Sequence, residues 1–143
     1  MAPAHDGAST APMDRSVLEW MRSRFAGQRP FDSAEIVEEG TLHLRVELSG
    51  DYYPDDAAAR LEVRWYRNDD FGFHYHEERR DGTWTCRWDR HPNPHNSRDH
   101  FHPPPHACRT DAEDAQWPDD HRGVCRLVLD RVEERIEALW EQR

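Results

Sequence analysis

The stretch that decides the fold is 71-FGFHYHEERRDGTWTCRWD-89, in which two runs of alternating residue types flank Asp81-Gly82. Alternation with a period of two is typical of strands that bury one face. An Asp-Gly pair between two such runs is the strongest short-range signal for a β-hairpin. We therefore predict strands over 71–79 and 83–89 that are joined by a tight turn.

This hairpin also predicts which side chains share a face of the sheet. With Asp81 and Gly82 as the two central residues of the turn, His76 lies opposite Arg87 and His74 lies opposite Asp89. Cross-strand partners share a face, so these four residues form one polar cluster. The other face receives a set of large or apolar side chains: Phe73, Tyr75, Trp84, Cys86 and Trp88.

The segments on both sides of the hairpin complete an α+β fold. Residues 42–48 and 61–66 alternate in the same way, and a short strand is expected at 36–37. A short helix is predicted after Asp14, and a long one from Asp119 to Trp140, because apolar residues there recur at helical spacing. We expect a short N-terminal helix, an antiparallel β-meander of four or five strands, and a long C-terminal helix packed across the sheet.

The chain is expected to form a single domain. Residues 1–12 are predicted to be a flexible tail, since they lack large apolar side chains. Residues 13–143 form the α+β domain. Within it, residues 90–118 are predicted to be a long loop rich in His and Pro, and loops of this length are usually functional or mobile.

The charge balance is acidic, with 29 Asp and Glu against 19 basic residues and a net charge of −10. Every basic residue is Arg, and Lys is absent. Carboxylates hold water tightly, and their repulsion is screened at molar salt. This composition indicates a halophilic protein, and the alternative is a GC-rich genome that favours Arg codons.

Salt dependence of folding tests this interpretation. We expect the melting temperature to rise between low and molar KCl, because screening removes repulsion among the excess carboxylates. Thermal melts followed by circular dichroism measure it. A melting temperature that is flat or falls across that range would contradict the halophilic interpretation.

Several function classes lack their signatures. No apolar run approaches the roughly 18 residues of a membrane span, and the N-terminus lacks the basic start and apolar core of a signal peptide. The three Cys form no CxxC motif, and no P-loop, GxGxxG, HExxH or nucleophile elbow is present. We expect a cytoplasmic protein with no membrane partner.

Histidines are concentrated in one part of the chain, where seven of the ten lie between residues 74 and 106. Residues 60–106 hold eight Arg and eight acidic residues, so the excess negative charge lies elsewhere. We predict two groups of site residues here. The catalytic candidates are His74, His76, Arg87, Asp89 and His91, and the ligand-binding candidates are Arg90, His95, His100 and His102.

Three interpretations of this patch remain open. The first is general acid–base chemistry, in which imidazole transfers protons and Arg stabilises a developing anion. The second is metal binding by the HxH pairs His74/His76 and His100/His102. The third is structural, with His as a polar filler and the Pro-His loop covering a sheet edge.

Of the two chemical interpretations, metal binding is less favoured than acid–base chemistry. His100 and His102 fall in a Pro-broken segment with no regular spacing to aim them, and Arg87 beside His76 would repel a dication. The sequence therefore predicts no metal ligand and no cofactor. It predicts instead that phosphate or sulfate binds near Arg87.

The run over residues 66–105 resembles the TumE-type toxin–antitoxin family. The resemblance rests on His74-Tyr75-His76, on Arg87-Trp88-Asp89, and on the downstream HFHPP at 100–104. Members of that family show a Tyr/His strand, a strand that ends in Arg-Tyr-Asp, a trailing His cluster with Pro, and a C-terminal helix. This chain departs from the pattern at Arg90-His91, where those toxins usually have Asn-Ala.

The resemblance implies a toxin with a small antitoxin or other protein partner, and with nucleic acid or translation as its target. Our first hypothesis is that it acts on RNA. If the protein is an enzyme, we expect metal-independent acid–base catalysis like that of ribonucleases. The alternative is a non-catalytic protein-interaction domain of a halophilic archaeon, whose His-rich patch is structural or metal-binding. The sequence leaves the oligomeric state open.

Overall fold

A computed structural model describes residues 11–92 and 96–143. These residues form two helices and one antiparallel sheet of seven strands in the order β1 to β7. The elements, in chain order, are α1 (Arg15–Ala26), β1 (Phe31–Val37), β2 (His43–Leu48), β3 (Ala58–Trp65), β4 (Phe71–Arg79), β5 (Gly82–Arg90), β6 (Asp99–His102), β7 (Glu113–Asp114) and α2 (His121–Glu141).

Each of the two helices begins after an Asp whose side chain caps it. Asp14 accepts a hydrogen bond from the Val17 N–H at 3.2 Å, and Asp120 accepts one from the Gly123 N–H at 2.9 Å. Such caps satisfy backbone donors that have no partner within the helix. The predicted short and long helices are confirmed.

The core lies between one face of the sheet and the two helices. Alternate residues of β3 and β4, such as Val63 and Phe73, are fully buried together with Leu18 of α1 and Val128 of α2. The intervening strand residues are only partly buried. Because both helices pack on the apolar face, the polar face that carries His74 and Arg87 lies on the outside of the sheet. None of the described helices is long and apolar enough to cross a bilayer.

The sheet has seven strands, not the predicted four or five. Strands β6 and β7 lie within residues 90–118, which were predicted to be a loop. They contain only four and two residues, too few to establish a periodic pattern among the surrounding Pro and His. Backbone pairing defines them instead, of β6 with β5 and of β7 with β6.

The predicted register of the β4–β5 hairpin is wrong by two residues. Arg79 pairs with Gly82, so Arg80 and Asp81 are the central residues of the turn. The predicted type I′ turn needs positive φ at both of its central residues, Asp81 and Gly82. Neither Asp81 nor Arg80 has a positive φ, and Gly82, with a φ of 139°, lies just after the turn.

This shift changes the partners of the site residues and preserves their faces, because side chains alternate with a period of two. His74 lies opposite Arg87, His76 lies opposite Thr85, and Asp89 lies opposite Gly72. The predicted pairs His76–Arg87 and His74–Asp89 do not occur.

Candidate functional site

Asp89 lies at the centre of the candidate site, on the outer face of the sheet. Its neighbours across the sheet are Gly72 on β4 and His100 on β6. Although neither helix packs on this face, Asp89 is only 1% exposed. Gly72 leaves room for it, since a Cβ at that position would lie 3.2 Å from Asp89 Oδ1.

One carboxylate oxygen of Asp89 is surrounded by four nitrogen-bearing side chains. The distances to Oδ2 are 2.7 Å from Arg87 Nη2, 3.2 Å from His102 Nε2, 3.5 Å from His91 Nε2 and 3.8 Å from His100 Nε2. We call these five residues the Asp89 cluster. Strand β5 supplies Arg87 and Asp89, β6 supplies His100 and His102, and His91 follows the end of β5.

The cluster keeps Asp89 ionised. Burial by itself would raise the pKa of this carboxyl, but contacts with His102 and His91 and the charge of Arg87 outweigh it, so the pKa is lowered from its usual value. A buried carboxylate that stays charged needs such partners.

Backbone carbonyls orient the three imidazoles. Nδ1 of His91 lies 3.0 Å from the Pro92 carbonyl oxygen, and Nδ1 of His102 lies 3.4 Å from that of Cys108. Nδ1 of His100 lies 3.2 Å from the carbonyl oxygens of both Ser97 and Arg98. A carbonyl only accepts hydrogen bonds, so each Nδ1 carries a proton and donates it. Each Nε2 is thereby directed towards Asp89. The rings also contact edge to face, with centroids 4.6 Å apart for His91–His100 and 5.0 Å for His100–His102.

Three buried atoms of the cluster have no hydrogen-bond partner in the described part of the chain: Asp89 Oδ1, His100 Nε2 and His102 Nε2. The 3.2 Å contact between His102 and Asp89 lacks the alignment of a hydrogen bond. Each buried polar atom without a partner costs about 1–3 kcal/mol. Three such atoms in one place mark the Asp89 cluster as a candidate functional site.

The imidazoles differ in their protonation. Burial lowers the pKa of His91, but the contact with Asp89 and the Pro92 carbonyl outweigh it, so the net shift is upward. Burial lowers the pKa of His100. His74 lies beside the cluster, opposite Arg87, and burial followed by the charge of Arg87 lowers its pKa to about 4. His74 is therefore neutral at neutral pH.

Besides His74, two of the described predicted site residues, His76 and Arg90, lie outside the cluster. His76 contacts Thr85 at 3.3 Å and Glu78 at 3.4 Å, one row further along the sheet. Arg90 is 5% exposed and projects to the opposite face, where it binds Asp99 and the carbonyls of residues 117–119. It holds β5 to β6 and to the segment before α2, so its donors are occupied. His95 lies outside the described residues.

Gly72 is the site residue that the sequence analysis missed. Its signal was available, because Gly inside a strand often marks the close approach of another group. Here that group is the Asp89 carboxylate.

The fold and the site define an α+β protein with a buried carboxylate ringed by imidazoles on the uncovered face of its sheet. A family model described as Toxin TumE matches residues 23–136. The chain therefore belongs to the TumE toxin family, which confirms the resemblance. The matched range contains the whole Asp89 cluster, and membership indicates the toxin component of a toxin–antitoxin system with an antitoxin partner. No curated protein and no solved structure matches the chain.

Proposed function

We propose that this toxin acts on RNA, with the Asp89 cluster and His74 as its working site. The observation that carries the proposal is the ion pair between Arg87 and buried Asp89, at 2.7 Å, on the outer face of the sheet. Family membership supports a toxin, and the chemistry of these side chains supports a phosphate-bearing target.

Arg87 is the phosphate-binding group of this proposal. Its side chain is 36% exposed, so it reaches solvent while Asp89 holds one of its nitrogens. The guanidinium presents donors in a planar fork that matches phosphate oxygens. It also stabilises the extra negative charge that develops when phosphorus becomes five-coordinate.

His74 and His91 flank this group as proton acceptor and proton donor. His74 lies opposite Arg87 and, as a neutral imidazole, takes the proton of a ribose 2′-hydroxyl. The 2′-oxygen then attacks phosphorus, and the bond to the 5′-oxygen breaks. His91, held 3.5 Å from Asp89 Oδ2, gives a proton to the departing 5′-oxygen. The products are a 2′,3′-cyclic phosphate and a free 5′-hydroxyl.

Induction in a halophilic host tests the RNA activity. We expect wild-type protein to stop growth and fragment cellular RNA, and Arg87→Ala and His74→Ala to lose at least about 100-fold of the cleavage rate, as expected when a charge-stabilising group or a general base is removed. His43→Ala is the matched control, because His43 lies on β2 away from the cluster and should keep full toxicity. RNA integrity is measured on gels, with protein levels checked by immunoblot.

Two results would contradict the proposal. One is intact RNA during growth arrest by the wild type, and the other is unchanged cleavage by Arg87→Ala. Toxicity that survives both substitutions would favour the alternative, a non-catalytic domain that acts by binding another protein.

A further inference from the structure

The Nε2 atoms of His100 and His102 face a carboxylate oxygen inside the Asp89 cluster. Nδ1 of His100 and of His102 donates to backbone carbonyls, so in the neutral imidazole each Nε2 presents a lone pair. Each Nε2 points towards Asp89, and neither makes a hydrogen bond with residues 11–92 or 96–143. All three residues are at most 3% exposed, so solvent screens their mutual repulsion poorly. The arrangement needs a positive charge between the three groups.

The spacing of the three groups fits a metal ion. Ligand atoms about 2.1 Å from a tetrahedral ion lie roughly 3.4 Å from one another. Asp89 Oδ2 lies 3.2 Å from His102 Nε2 and 3.8 Å from His100 Nε2, and the ligand atoms of all three residues lie within 4.8 Å of one another. A hydrogen bond explains 3.8 Å poorly, because N–H···O distances end near about 3.2 Å.

We propose that Asp89, His100 and His102 bind one divalent transition-metal ion of the zinc type. Two imidazoles and one carboxylate are a donor set that such ions take, and three protein ligands leave a position for an outside ligand. The carbonyls that accept from Nδ1 are the outer partners that usually orient a metal-bound imidazole. The proposal rests on this geometry and does not depend on RNA cleavage.

The structure removes one of the two grounds on which the sequence disfavoured a metal and changes the other. His100 and His102 lie on β6, paired with Asp89 and Arg87 of β5, so a strand aims them and not an irregular loop. Arg87 lies opposite His74 and not opposite His76. Its guanidinium still lies 2.7 Å from Asp89 Oδ2, so its charge repels the ion and the negative charge of the Asp89 carboxylate offsets that repulsion.

Zinc titration of the full-length, untagged protein tests the proposal. After EDTA treatment and buffer exchange into molar KCl, ZnCl2 is added and heat is measured by calorimetry, with MgCl2 as the probe for a hard cation. We expect one zinc per chain with a micromolar or lower Kd, no magnesium binding, and a melting temperature roughly 5–10 °C higher at about 100 times the Kd.

Substitution of the ligands locates the ion. Asp89→Asn and His102→Gln keep the side-chain size, and each should weaken zinc binding by at least about 100-fold, whereas His43→Gln should bind as the wild type does. Folded wild-type protein that binds no zinc overturns the proposal, as does equal binding by the folded Asp89→Asn or His102→Gln variant. Zinc binding by a protein that leaves RNA intact would uphold this site and reject the RNA activity.

Discussion

Arg135→Met is expected to lower the free energy of unfolding by about 3–5 kcal/mol, since it leaves the buried Glu77 carboxylate with only a longer contact to Arg79, at 3.5 Å. Glu77 lies on β4 with no exposed surface. Arg135 of α2 binds it through two hydrogen bonds, at 3.0 Å to Oε1 and 2.8 Å to Oε2. The same guanidinium lies 3.7 Å above the Trp84 ring, so the ion pair also attaches the helix to the end of the β4–β5 hairpin.

Denaturant unfolding in molar KCl measures this loss. Arg131→Met is the matched control on the same helix, because Arg131 pairs only with exposed Glu134 at 3.0 Å and should cost less than about 0.5 kcal/mol. The double variant Glu77→Leu/Arg135→Met should recover most of the stability, because it removes the buried carboxylate, while Arg79, whose side chain is 30% exposed, keeps Asp81 at 3.7 Å. A cost below about 1 kcal/mol for Arg135→Met alone would contradict the prediction.

Trp88→Ala should cost about 3–5 kcal/mol, as the loss of a large buried aromatic side chain does. Trp88 is 5% exposed on the core face of β5, and its ring centroid lies 5.7 Å from that of Phe101 on β6. His76→Ala on the outer face should cost less than about 1 kcal/mol, since its side chain is 22% exposed.

The same unfolding experiment compares these two variants. Their costs report which face of the hairpin is buried, because the two residues lie on opposite faces of one β-ribbon. If His76→Ala were the more destabilising, the assignment of the core face would be wrong. Equal costs would show that Trp88 contributes little to the core.

The candidate site was predictable in its residue types and only partly in its geometry. The clustering of His between residues 74 and 106, with Arg87 and Asp89 beside it, was visible in the sequence. The pairing of β6 with β5 was not, because four residues among Pro and His carry too little periodic signal. That pairing brings His100 and His102 to Asp89. The Asp89 cluster therefore depends on a strand that lies in a segment predicted to be a loop.

By itself the sequence determined the α+β class, both helices with their Asp caps, and the two faces of the central hairpin. These features arise from local periodicity and capping, which neighbouring residues encode. Only the tertiary structure decided the exact cross-strand partners and the direction of each imidazole. Those depend on the backbone of one turn and on the carbonyls of Pro92, Ser97, Arg98 and Cys108. Local periodicity does not encode the positions of these carbonyls, because the packing of their segments on the sheet sets them.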